Sequence, residues 1–94
     1  DTLQEHGVEG MGYAICTNAI YEGLHGKTAL ELKQERGLKK KDSLRDDFSP
    51  LELRAVLLSE ELAALKIEVK DVKGLRPCQS ECLKAGEHIG EFLK

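Results

Sequence analysis

The stretch Ser49-Pro50-Leu51-Glu52 constrains this chain more than any other. A serine ahead of the first helical turn accepts a bond from an orphan backbone N–H. Proline at the first helical position has no N–H to lose, and a glutamate three residues after the serine reaches back to the serine's own N–H. All three signals agree on a helix start. Residues 51–69 sustain the helix: Leu51, Ala55, Leu58, Leu62, Leu65 and Val69 alternate at heptad spacing over nearly three heptads. A second apolar set, Leu53, Val56, Leu57, Ala64 and Ile67, widens the apolar surface beyond one stripe. A helix apolar over so much of its girth is expected at the centre of a bundle, with Leu51, Leu58, Leu62, Leu65 and Val69 as core contacts. The alternative makes the same seam an interface for a partner, a second copy included.

Breakers and caps divide the rest. Residues 1–13 hold three glycines and read as loosely ordered or as a fraying short helix. Helix one is expected from about Ala14 to Leu24, with Ile15, Ala19, Ile20 and Leu24 inward. Gly26 ends it, and Thr28 opens helix two through a second capping box, Thr28-Ala29-Leu30-Glu31. That helix runs from about Ala29 to Arg36, buries Leu30 and Leu32, and stops at Gly37. A basic connector comes next, with a short helical turn after Ser43. "DVKGLRP", residues 71–77, breaks the chain before a last helix from about Cys78 to Phe92. Gly86 and Gly90 sit on one face of it. Each forgoes about 1 kcal/mol of helix propensity, so another helix is expected to approach closely there, the long one being the natural neighbour. No strand is needed anywhere. The reading is all-α: a single helical domain over 14–94, a small bundle of about four helices around a long central amphipathic one.

Gly26-Lys27-Thr28 before a helix raises the question of a nucleotide site. A phosphate-binding loop needs a glycine five residues before the glycine of Gly-Lys-Thr, and Tyr21 stands there. No β-branched run precedes it to supply the delivering strand. The motif is a helix end and a helix cap.

Bulk properties narrow the class. The 94 residues suit one small domain, and 40% hydrophobic with 33% charged residues is a globular balance. No apolar run is long enough to cross a bilayer. The net charge of −3 supplies no global basic field for nucleic acid. Three cysteines, Cys16, Cys78 and Cys82, are too few and odd in number for a disulfide framework and point to a reducing, cytoplasmic setting. Cys78 and Cys82 stand one helical turn apart, but His6, His25 and His88 complete no paired ligand spacing, so buried small core residues are expected and no metal or other cofactor. The chain opens on Asp1 with no visible signal peptide and reads as an excised piece of something longer.

The run Thr17-Asn18-x-x-Tyr21-x-Gly23-x-x-Gly26-x-Thr28 resembles a segment of bacterial and phage proteins allied to DNA-damage-inducible protein D. Gly37-Leu38, then Leu44-Arg45-Asp46, and later Gly74, Cys82, Ala85-Gly86 and Ile89 are similar to the remainder of the same domain. The resemblance runs from about Ala14 to the C-terminus. It implies a DNA-damage or prophage setting, in which this region follows a BRO-type domain associated with phage antirepressors; that domain is absent from this stretch. For one member it implies contact with recombinase filaments. It carries no catalytic residues.

The expected function is therefore a non-enzymatic interaction domain working through protein contacts, with a homodimer as a further option. The alternative is an accessory DNA-binding domain in which Arg36, Lys39, Lys40, Lys41 and Arg45 touch phosphates. Asp42, Asp46 and Asp47 interrupt that patch, which also reads as a solvated charged connector.

Overall fold

The computed structural model describes residues 2–93, and among them the chain forms six helices and no strand. These are α1 (Thr2–Glu5), α2 (Gly12–His25), α3 (Ala29–Glu35), α4 (Leu44–Asp47), α5 (Pro50–Lys70) and α6 (Leu75–Phe92). Both capping boxes form as the local sequence dictates. Thr28 accepts from the Glu31 N–H at 3.3 Å while Glu31 accepts from the Thr28 N–H at 3.0 Å. Ser49 and Glu52 do the same at 3.1 and 3.0 Å, with Pro50 opening α5. Gly26 and Gly37 adopt left-handed φ of 72° and 71° at the ends of α2 and α3, where a side chain would strain the backbone. α6 begins at Leu75, earlier than expected. Pro77 falls inside its first turn, where the backbone N–H has no intrahelical partner to lose.

The centre of the fold is α6, not α5. α2 packs along α6 in the same direction, Gly12 beside Leu75 at one end and Leu24 beside Gly90 at the other. α5 precedes α6 through the turn at residues 71–74 and lies back against it, which brings Ile67 into one core cluster with Cys78 and sets Ala55 near Ile89. The main core is Val8, Cys16, Ala19, Ile20, Ala63, Ile67, Cys78, Cys82 and Ala85. A second cluster, Tyr21, Leu32, Leu44, Phe48 and Val56, is covered by α3, α4 and the start of α5.

The expected inner faces of α5 and α3 need correction. Most of the heptad seam of α5 does not face the core: Leu51 is 61%, Leu58 51%, Leu65 56% and Val69 76% exposed, while Leu62 is half-buried against the main core and Ala55 alone of the seam is buried. The buried face is instead Ala55, Val56, Ser59, Ala63 and Ile67, small enough at Ala55, Ser59 and Ala63 to let neighbouring helices close in. The buried Ser59 hydroxyl is satisfied by donating to the Ala55 carbonyl at 2.8 Å. In α3 it is Leu32 that is buried, while Leu30 stands 44% exposed. In the opening segment the short-helix alternative forms, as α1, and the residues after it are tied down; Asp1 lies outside the described residues. Val8 is fully buried, the Gly74 N–H donates to the His6 carbonyl at 2.8 Å, and His6 Nδ1 lies 2.7 Å from the Val72 carbonyl.

The close approach expected at Gly86 and Gly90 exists, but the helix that makes it is α2. A methyl group placed on Gly86 would lie 2.5 Å from the Ile20 carbonyl oxygen and 3.1 Å from the Gly23 Cα. One placed on Gly23 would meet the Leu83 carbonyl oxygen at 2.5 Å. Two glycines thus face each other across touching backbones, a contact that recovers in packing what each loses in helix propensity.

Candidate functional site

The basic connector divides into residues held by the fold and residues left to solvent. Arg36, at the end of α3, donates to Asp47 at 3.2 Å and to Glu52, and its guanidinium sits 5.1 Å from the centre of the Phe48 ring. Those carboxylates raise its already high pKa, the Glu52 bond foremost. Arg45, in α4, donates to Glu60 of α5 at 3.1 Å. Both arginines therefore join α3 and α4 to α5 and are not aimed outward as a pair. Lys39, Lys40 and Lys41 are exposed on the loop between α3 and α4, and the Lys40 carbonyl accepts from Lys33 at 2.8 Å. The Lys39 N–H donates to Asp42 at 2.8 Å, which folds the acid against the start of the basic run. Of the five predicted phosphate contacts, three side chains remain on offer.

Lys27, the lysine of Gly-Lys-Thr, pairs with Glu35 across α3. The glycine before it is a helix terminus and the threonine after it a cap, so these three residues are accounted for locally. Nearby, His25 packs on Phe48 with ring centres 6.2 Å apart, and its Nε2 is buried without a partner. Burial holds its pKa below the ordinary imidazole value.

All three cysteines are free and buried. Cys16 and Cys82 line a cavity of about 60 Å³ together with Leu3, Ile20, Ala63 and Ile67. Interaction with the neighbouring Cys16 thiol, and then burial, push the Cys82 thiol far up, away from the reactive thiolate, and burial raises Cys78 as well. Among the described residues no three His, Cys, Asp or Glu side chains are arranged to hold a metal, and no helix is long and apolar enough to cross a membrane.

The seam residues converge on a different feature. Leu51, Leu58, Leu65 and Val69 run down the outer side of α5, and its first half forms one wall of an open groove of about 350 Å³. The other wall comes from the end of α6: Ile89, Phe92 and Leu93, with Phe92 83% exposed. Arg54 stands at the rim, and the lining is almost wholly apolar. Heptad spacing identified the α5 wall but not Phe92 and Leu93, whose proximity depends on α6 returning alongside α5. Contiguous apolar surface of this kind marks contact sites more often than it marks solvent-facing structure.

The signature residues are structural. Asn18 accepts from the Ala29 N–H at 3.0 Å and fastens α2 to the start of α3. Tyr21 packs edge-on to Phe48 at 5.9 Å, Gly23 meets Gly86, Gly26 turns the chain, and Thr28 caps. Over residues 1–94 the chain matches the family model described as the DinD C-terminal domain. No curated protein matches it significantly.

Proposed function

Because the chain belongs to the family of DinD C-terminal domains, we propose that it is the non-enzymatic interaction domain of a DNA-damage-inducible or prophage-regulatory protein. It works through protein contacts, made by the outer face of α5. The observation that carries this reading is the row Leu51, Leu58, Leu65 and Val69, each more than half exposed on a helix whose opposite face is already packed. Leucines in that row add nothing to the core, yet they keep heptad spacing. A recombinase filament, the partner implied by the resemblance, is the first to test.

A second reading has its own observation. Lys39, Lys40 and Lys41 are exposed on one loop, suited to phosphate contact without base readout. Titration against recombinase filaments and against bare DNA, each at two salt concentrations, separates the two. Under the first reading, Leu58→Glu abolishes filament binding and changing salt matters little. Under the second, replacing the three lysines by alanine weakens DNA binding evenly across sequences and flattens its salt dependence. Filament binding that ignores Leu58→Glu would overturn the first reading.

A further inference from the structure

The outer face of α5 needs an occupant whose apolar residues repeat with the same period over the same length. The row from Leu51 to Val69 extends about 27 Å at the α-helical rise. Its heptad register places Arg54, Glu61 and Glu68 in one flanking row, all exposed. The basic member is at the start of the helix and an acidic member at its end. A helix carrying this pattern is complementary to itself when reversed. We propose that two copies of this domain pair through α5 in an antiparallel, two-fold arrangement; this rests on the reading that the leucine face is an interface, and it assigns the occupant.

The layers follow from the spacing. Leu51 of one copy meets Val69 of the second, Leu58 meets the exposed part of the half-buried Leu62, and Ala55, small and buried in the groove lining, leaves a hole for the opposing Leu65. The groove between the first half of α5 and the end of α6 thereby receives the last half of the other copy's α5, with Phe92 and Leu93 as its far wall. Arg54 at the groove rim comes beside the second copy's Glu68. Glu68 accepts from Thr2 through Oε1, which leaves Oε2 for the arginine. Symmetry makes that pair twice. The two Glu61 side chains meet near the axis and oppose pairing, so the dimer is modest in affinity, on the order of micromolar. The same patch serving both copies is what a two-fold interface requires.

Sedimentation equilibrium of the 94-residue chain from about 1 to 500 μM tests this across the expected range. A concentration-dependent monomer–dimer equilibrium is expected, and Leu65→Glu weakens it by at least about a hundredfold. Thermal melts establish that this variant folds. Arg54→Glu and Glu68→Arg, both on exposed positions, each weaken the dimer about tenfold, and the double variant restores it. A parallel pairing would give no such restoration. A chain that remains monomeric throughout overturns the assignment, as does a dimer that ignores Leu65→Glu or the charge reversals. If the chain is monomeric while Leu65→Glu still abolishes filament binding, the interface reading stands and only the second-copy assignment falls. If Leu65→Glu changes neither, both fall.

Discussion

Where α2 meets α6, glycine faces glycine and the two backbones touch; along the outer side of α5, Leu51, Leu58 and Leu65 each stand more than half exposed. At these two places residue size runs opposite to the usual arrangement of bulky side chains inside, although Ile20, Tyr21, Leu32, Phe48 and Ile67 follow it elsewhere. The reason lies in the distances between helices. Gly23, Gly86 and Gly90 let α2 and α6 approach until a single added methyl would crowd a carbonyl oxygen, and Ala55, Ser59 and Ala63 do a milder version of the same for α5. The close approach of these helices therefore depends on the small residues, while the large ones on the outer side of α5 are free to serve contacts.

Four measurements put that contrast at risk. The largest effect is expected at the glycine crossing. Gly86→Leu should lower stability by about 3 kcal/mol or more, because the colliding atoms are backbone and cannot step aside. A melt showing Gly86→Leu more stable than the native chain would mean the helices are not in contact there. Next comes a pair of substitutions on one helix: Ile67→Ala should cost about 2–5 kcal/mol, whereas Leu65→Ala should stay within about 0.5 kcal/mol in the monomer. Equal losses at the two positions would erase the distinction between inner and outer faces.

The caps should give a smaller, local effect. Thr28→Ala and Ser49→Ala each remove an acceptor from a helix-start N–H, for a loss of about 1 kcal/mol apiece in denaturant titration. Unchanged midpoints in both would remove the capping assignment. The smallest effect concerns pH. His25 is held neutral in the fold, so the unfolded chain binds the proton more readily. Its contribution is intact above the unfolded imidazole value and is lost as pH falls through that value toward the lower folded one. The native chain should lose stability across that acid window, and His25→Gln should lose less of it; identical pH profiles would show that the buried Nε2 carries no such penalty.

Helix ends and the all-α class were legible in the residues alone. Ser49 and Glu52, or Thr28 and Glu31, sit three residues apart and find each other whatever the rest of the chain does. Gly26 and Gly37 turn the chain for equally local reasons. The family signature was legible too, and Asn18, Tyr21, Gly23 and Gly86 show why: each fastens one element to another. Which way α5 faces was settled by packing. Apolar residues occupy most of its circumference, so periodicity offers two inward faces, and the heptad seam is the more regular of them. The fold buries the other, because Ala55, Ser59 and Ala63 admit closer packing than a wall of leucines would. The same limit applies to the glycines of α6 and to Phe92. A missing side chain announces that something comes near, but its identity depends on how the helices are laid side by side, and α2 is distant in sequence from the α6 residues it touches.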